Sequence, residues 1–109
     1  MEFKLYRQLY TNDMSEKKIK RYRKKIEQEK PALSLFLITL PISGDGILEI
    51  YPYTALLQDH FKSMDASLYV LGFADSHEEA LQVAARLVGD MYRETGAFSV
   101  KAFISGNGD

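Results

Sequence analysis

The residues with the clearest chemical potential are the basic ones in KKIKRYRKK, at positions 17–25. Seven of the chain's 14 Lys and Arg residues fall in these nine positions: Lys17, Lys18, Lys20, Arg21, Arg23, Lys24 and Lys25. Seven basic and 15 acidic residues remain elsewhere, so the rest of the chain carries a balance of −8. A cationic cluster of this density can bind phosphates or carboxylates.

Three interpretations of this basic segment stay open. It can be a solvated helix face whose long aliphatic stems cover apolar surface. It can be attracted to the acidic remainder of the same chain or of a neighbouring subunit. It can also bind a polyanion, with an affinity that falls steeply as salt rises. The scarcity of basic residues elsewhere argues against nucleic acid, because nucleic-acid-binding domains usually present a broader basic surface.

A second, weaker candidate site lies at ADSHEE, where a predicted strand meets a predicted helix. Asp75, Ser76 and His77 could line a small anion or ligand site, because free N–H groups at a helix start favour anions. The simpler interpretation is that Ser76 and Glu79 form a capping box and that Asp75 ends the strand. The glycine-rich phosphate fingerprint is absent, which favours the simpler interpretation.

Catalytic and metal-binding patterns are missing from the sequence. The chain has no cysteine and only two histidines, His60 and His77, without the spacing of a zinc site. Neither a G-x-S-x-G element nor a recognisable Ser/His/Asp set occurs. We therefore expect no enzyme activity, no cofactor and no metal. The absence of cysteine also fits a reducing compartment, and we expect a cytoplasmic protein.

The pattern of the remaining residues predicts the elements that position these candidates. Apolar and β-branched runs predict strands over 3–10, 32–40, 47–53, 67–74 and 98–104. Helices are predicted over 15–29, 54–64 and 75–96, with Pro31 stopping the first and Gly96 the last. No apolar run approaches the roughly 20 residues that span a membrane.

These elements predict a single α+β domain over 1–109, with 105–109 as a frayed tail. The expected fold is a two-layer sandwich, in which a mixed sheet of four to five strands carries two long helices on one face and a short extra helix. The strand over 32–40 is apolar on both sides and should lie inside the sheet. Leu87 should be buried under the sheet.

Such an arrangement would leave the second sheet face without a complete cover. Tyr51, Tyr69 and Phe103 would enlarge an apolar patch there, and a homodimer that pairs these sheet faces would bury it. The sequence thus predicts a non-catalytic binding or accessory domain that acts through protein–protein contact or self-association. The alternatives are polyanion binding through 17–25 and, after that, a small-molecule enzyme or binder at 75–77.

Overall fold

The computed structural model describes residues 1–42, 46–99 and 103, apart from the side chain of His60. The elements follow one another along the chain as β1 (Glu2–Thr11), α1 (Glu16–Glu27), β2 (Phe36–Thr39), β3 (Glu49–Pro52), α2 (Tyr53–Leu56), α3 (Asp59–Lys62), β4 (Ser67–Ala74) and α4 (His77–Thr95). The four strands form one mixed sheet against which the helices pack. The α+β fold predicted from the sequence is confirmed.

The sheet has the strand order β1-β4-β2-β3. β1 runs parallel to β4, while β2 is antiparallel to both β4 and β3. β2 is therefore an interior strand, as its two apolar faces predict, and Pro52 lies on an edge strand, where its missing N–H is tolerated. β2 and β3, which follow each other along the chain, pair in antiparallel fashion.

The two long helices lie on opposite faces of the sheet rather than together on one face. Side chains of β4 divide between two cores: Val70 and Phe73 pack with α1, whereas Leu71 and Ala74 pack with α4. The short helices α2 and α3 join α1 on its face. The expectation of one uncovered sheet face is therefore wrong, because local periodicity does not encode the face on which a crossing helix lands.

Two predicted strands differ from the structure. The strand expected over 32–40 begins only at Phe36, because a turn with Ser34 at φ 65° precedes it. The strand expected over 98–104 lies largely outside the described residues. Where it is described, Phe98 and Ser99 are not in a strand, and the N–H of Phe103 donates to the Ser99 carbonyl 3.1 Å away in a helical pattern.

The helix ends follow the local sequence signals closely. The Ser15 hydroxyl accepts from Lys18 N–H at 3.2 Å, and the Ser76 hydroxyl accepts from Glu79 N–H at 3.1 Å. Gly96 ends α4 at φ 72°, a conformation in which a Cβ is unfavourable. At α2, however, the capping position is Pro52, and no side chain caps that helix.

Candidate partner-binding surface on the basic helix

α1 is firmly attached to the sheet by its narrow apolar side. Tyr22 and Ile26 are buried in the core, and the Tyr22 ring meets Phe73 edge-on at 6.0 Å. The Tyr53 hydroxyl donates to the Lys25 carbonyl at 3.1 Å, and burial is the largest cause that raises the pKa of Tyr53 to about 12. The basic residues are therefore displayed on a fixed helix.

The seven basic residues of 17–25 differ in exposure but share one scaffold. Lys18 and Lys25 are half-buried, and the other five are exposed: Lys17, Lys20, Arg21, Arg23 and Lys24. In the described part of the chain, Lys18 is the only one of the seven with an ion pair. An ion pair with the acidic remainder of the chain thus holds one lysine, while five of the seven cations are exposed.

The ion pair of Lys18 connects the two sites that the sequence suggested separately. Its Nζ lies 2.7 Å from Asp75 Oδ2, while the side-chain amide of Asn12 donates to Asp75 Oδ1 at 2.9 Å. The hydrogen bond from Lys18 is the largest cause that lowers the pKa of Asp75, and the same bond raises the pKa of Lys18. Asp75 thereby ties the start of α1 to the end of β4.

The neighbours of Asp75 in the 75–77 loop also have partners within the chain. Ser76 caps α4, and the exposed His77 ring lies edge-on to Phe36 at 5.5 Å between ring centroids. The polar side-chain atoms of Asp75 and Ser76 are therefore engaged within the chain, whereas the contact of His77 is with an aromatic ring. In residues 1–42, 46–99 and 103, no three His, Asp or Glu side chains are grouped as metal ligands would be.

An open cavity of about 400 Å³ lies beside the C-terminal half of α1. It is lined by two cations, Arg21 and Lys25, by the apolar segment 31–33 and by the largely buried Tyr22. Leu33 is 82% exposed, a high value for a leucine. The cavity therefore places positive charge next to apolar surface.

The exposure of Leu33 is enforced by the turn that carries it. Ala32 and Leu35, on either side, are 4% and 2% exposed, so the turn is anchored at both ends. Glu29 and Ser34 have φ values of 53° and 65°, in the left-handed region that residues other than glycine rarely occupy. Such conformations cost about 1–3 kcal/mol and concentrate at functional segments. This turn could not be predicted from the sequence, because PALSLFLITL resembles one continuous strand.

The three aromatic residues suggested for an interface do not share a surface. Tyr51 lies on the α1 face, where its hydroxyl donates to Glu49 Oε1 at 2.5 Å and burial is the main cause that raises its pKa to about 12. Tyr69 lies on the α4 face, 6.3 Å from Tyr6 between ring centroids. Phe103 is 2% exposed within its own chain. An interface made by all three would require the core to open.

Comparison with known proteins does not assign a function to this chain. None of the helices in the described ranges is long and apolar enough to cross a membrane. The chain matches no protein-family model, no curated protein sequence and no solved structure.

Proposed function

We propose that this protein is a non-catalytic binding module that recognises an acidic, apolar-anchored segment of another protein. The binding site is the α1 surface, which we define as Lys17, Lys20, Arg21, Lys24 and Lys25 together with Leu33. The observation that supports it most directly is the placement of an 82%-exposed leucine against two cations that have no acidic partner in the described part of the chain.

The spacing of the positive charges on α1 favours binding of an acidic partner. Lys17, Arg21 and Lys25 follow one another at intervals of four residues, and Lys20 and Lys24 make another such pair. Each like-charged pair at this spacing destabilises a helix by about 0.2–0.5 kcal/mol. A partner with carboxylates along this side of α1 relieves the repulsion between the basic side chains. This relief contributes part of the binding free energy.

The apolar part of the surface favours a protein over a nucleic acid. Single-stranded nucleic acids stack their bases on exposed aromatic rings. Here the ring nearest the cations, Tyr22, is only 8% exposed, and the accessible apolar groups are aliphatic, with Leu33 the most prominent. An aliphatic or aromatic side chain of a peptide can pack on Leu33 while neighbouring carboxylates reach Arg21 and Lys25.

Fluorescence anisotropy with two labelled peptides tests this proposal. Both are about 16 residues long with the same number of Glu residues, and one has Leu at every fourth position where the other has Ser. We expect the Leu peptide to bind more tightly at about 50 mM salt and both affinities to fall at higher salt. Arg21→Gln combined with Lys25→Gln should weaken both peptides, whereas Leu33→Ser should remove the preference for the Leu peptide.

Lys4→Gln is the control for loss of a positive charge elsewhere, because Lys4 is exposed and alternates with Phe3 and Leu5, which face the α1 core. The Lys4→Gln substitution removes one positive charge from the side of the sheet opposite α1 and should leave peptide binding unchanged. A single-stranded oligonucleotide of equal charge provides the competing outcome. If it binds more tightly than the Leu peptide and Leu33→Ser has no effect on it, nucleic-acid binding replaces the proposal. Failure to bind either peptide overturns it.

A further inference from the structure

α4 carries a second apolar stripe in addition to the one that faces the sheet. Its core residues, Ala80, Val83, Leu87 and Met91, are buried. At 100° per residue, a second row lies about 120° around the helix, and we define this α4 stripe as Leu81, Ala84, Ala85, Val88, Gly89 and Tyr92. Leu81 is 52% and Tyr92 55% exposed, so the stripe is open to solvent.

Neighbouring segments extend this apolar surface at both ends. Near Leu81, the stripe borders a cavity of about 660 Å³ whose other wall is formed by Ile47 and Leu48, just before β3. Near its C-terminal end, Tyr92 stacks at 5.1 Å on Phe98, which is 53% exposed. A contiguous apolar surface of this kind on a small domain marks an interaction site.

The stripe contains a glycine that its own fold does not require. Gly89 lies inside α4, and a Cβ built on it would meet nothing within 4 Å. Glycine in a helix interior costs about 0.8–1 kcal/mol relative to alanine. The missing side chain has no packing reason within the described chain, but it leaves room for another helix to approach closely, as small residues do at helix crossings.

The stripe is complementary to itself when read in the opposite direction. About a point midway between residues 86 and 87, Leu81 is related to Tyr92, Ala85 to Val88, and Ala84 to Gly89. Two copies of α4 packed antiparallel about a twofold axis would therefore place large residues against large ones at the ends and small residues against small ones at the crossing. An isologous interface requires this self-complementarity.

The charges beside the stripe fit the same antiparallel pairing. Glu78 and Arg93 lie along the edge of the stripe that points away from the core. Arg93, with a side chain 72% exposed, bonds Asp90, one turn earlier. In the antiparallel pair, Glu78 of each copy lies about 3 Å along the axis from Arg93 of the other, given a rise of 1.5 Å per residue. A parallel arrangement would bring like charges together.

From these observations we infer that the α4 stripe binds a second copy of this chain, forming a twofold homodimer through antiparallel α4 helices. The dimer buries Leu81, Tyr92 and Phe98 and uses the space at Gly89. It replaces the pairing of sheet faces expected from the sequence, since helices cover both of those faces. This surface shares no residue with the α1 surface, so the two proposals can fail separately.

Sedimentation equilibrium between about 1 and 100 µM tests the dimer. We expect wild-type protein to approach twice its 12.4 kDa chain mass as the concentration rises. Leu81→Glu should remain monomeric, because each interface would bury two uncompensated carboxylates. Gln8→Glu makes the same charge change at an exposed position on edge strand β1 and should dimerise like wild type. A wild-type mass of 12.4 kDa at every concentration overturns the proposal.

Two further variants separate the interface from general effects on folding. Gly89→Gln fills the crossing point and improves the helix, so it should melt at a higher temperature as a monomer yet dimerise less. Glu78→Lys should weaken dimerisation roughly 2- to 30-fold, and adding Arg93→Glu should restore it. If Gly89→Gln dimerises as wild type does, or if the double reversal fails to recover, the antiparallel geometry is wrong.

Discussion

Gly72→Ala should separate β1 from β4 and cost the protein a large part of its stability. Gly72 is buried in β4, where it pairs with Tyr10 of β1 on one side and Ile38 of β2 on the other. A Cβ on Gly72 would lie 2.3 Å from the Tyr10 carbonyl oxygen and 3.0 Å from the Tyr10 carbonyl carbon. Since the obstacle is backbone, no change of side-chain rotamer relieves it.

The size of the effect follows from what must move. Restoring an ordinary contact requires β1 to retreat by roughly 1 Å around Tyr10, where the register between the strands already shifts. This movement strains the ladder at Tyr10 and Thr11, in which each hydrogen bond contributes about 0.5–1.5 kcal/mol. It also disturbs the bond from the Tyr10 hydroxyl to Asp90 Oδ2, 2.6 Å long. With an overpacking cost of about 1–3 kcal/mol, we expect a loss of about 2–4 kcal/mol.

Urea unfolding followed by circular dichroism measures this loss, and Gly89→Ala is the control. Both substitutions add one methyl group at a glycine, but the site at Gly89 is open and helical, so its variant should gain up to about 1 kcal/mol. The comparison is made in the Leu81→Glu background, which removes the proposed dimer from the measurement. A Gly72→Ala variant within about 0.5 kcal/mol of its parent would refute the argument from backbone contact.

Three other outcomes follow from the structure. Leu87→Ala should destabilise by about 2–5 kcal/mol because Leu87 is fully buried, whereas Leu81→Ala should cost far less in the monomer; similar melting temperatures would contradict this. Because the hydrogen bond from Lys18 lowers the pKa of Asp75, the stabilising effect of the ionised carboxylate is present above the ordinary pKa of an aspartate and is lost as pH falls through the lowered value. The melting temperatures of wild type and Asp75→Asn should therefore converge in acid, and a constant difference would count against the Lys18 bond. Leu81→Glu should weaken retention on a surface densely coated with the acidic Leu peptide but not affinity in solution; equal losses would indicate that Leu81 contacts the peptide itself.

Several element boundaries were predictable because their signals are local. Ser15 and Ser76 mark helix starts, Gly96 marks a helix end, and Pro52 marks an edge strand, each for a reason contained within a few residues. The burial of Leu87 follows from helical periodicity in the same way. Such signals identify an element and its inward side, but not the partner against which that side packs.

The long-range arrangement could not be predicted for the same reason. The parallel pairing of β1 with β4 joins residues about 60 positions apart, as in Glu2 with Ser67. No local sequence pattern indicates that α1 and α4 lie on opposite faces of the sheet. The local signals likewise contain nothing that would place Lys18 beside Asp75, since the two residues belonged to different candidate sites. The exposure of Leu33 could not be predicted, because the apolar run that contains it resembles a strand throughout but begins in a turn.

Because the two long helices lie on opposite faces of the sheet, both proposed surfaces can be occupied at the same time. α1 packs on one side of the sheet and α4 on the other, so pairing through α4 leaves the α1 surface of each copy uncovered. The dimer would present two basic helices on a body whose remaining residues carry a balance of −8 per chain. That acidic remainder repels other polyanions while α1 attracts them, which confines binding to one strip of each copy. Selectivity for where a partner binds would then come from the separation of the basic α1 surface from the acidic remainder of the chain. The strength of binding would come from the presence of two α1 surfaces in each dimer.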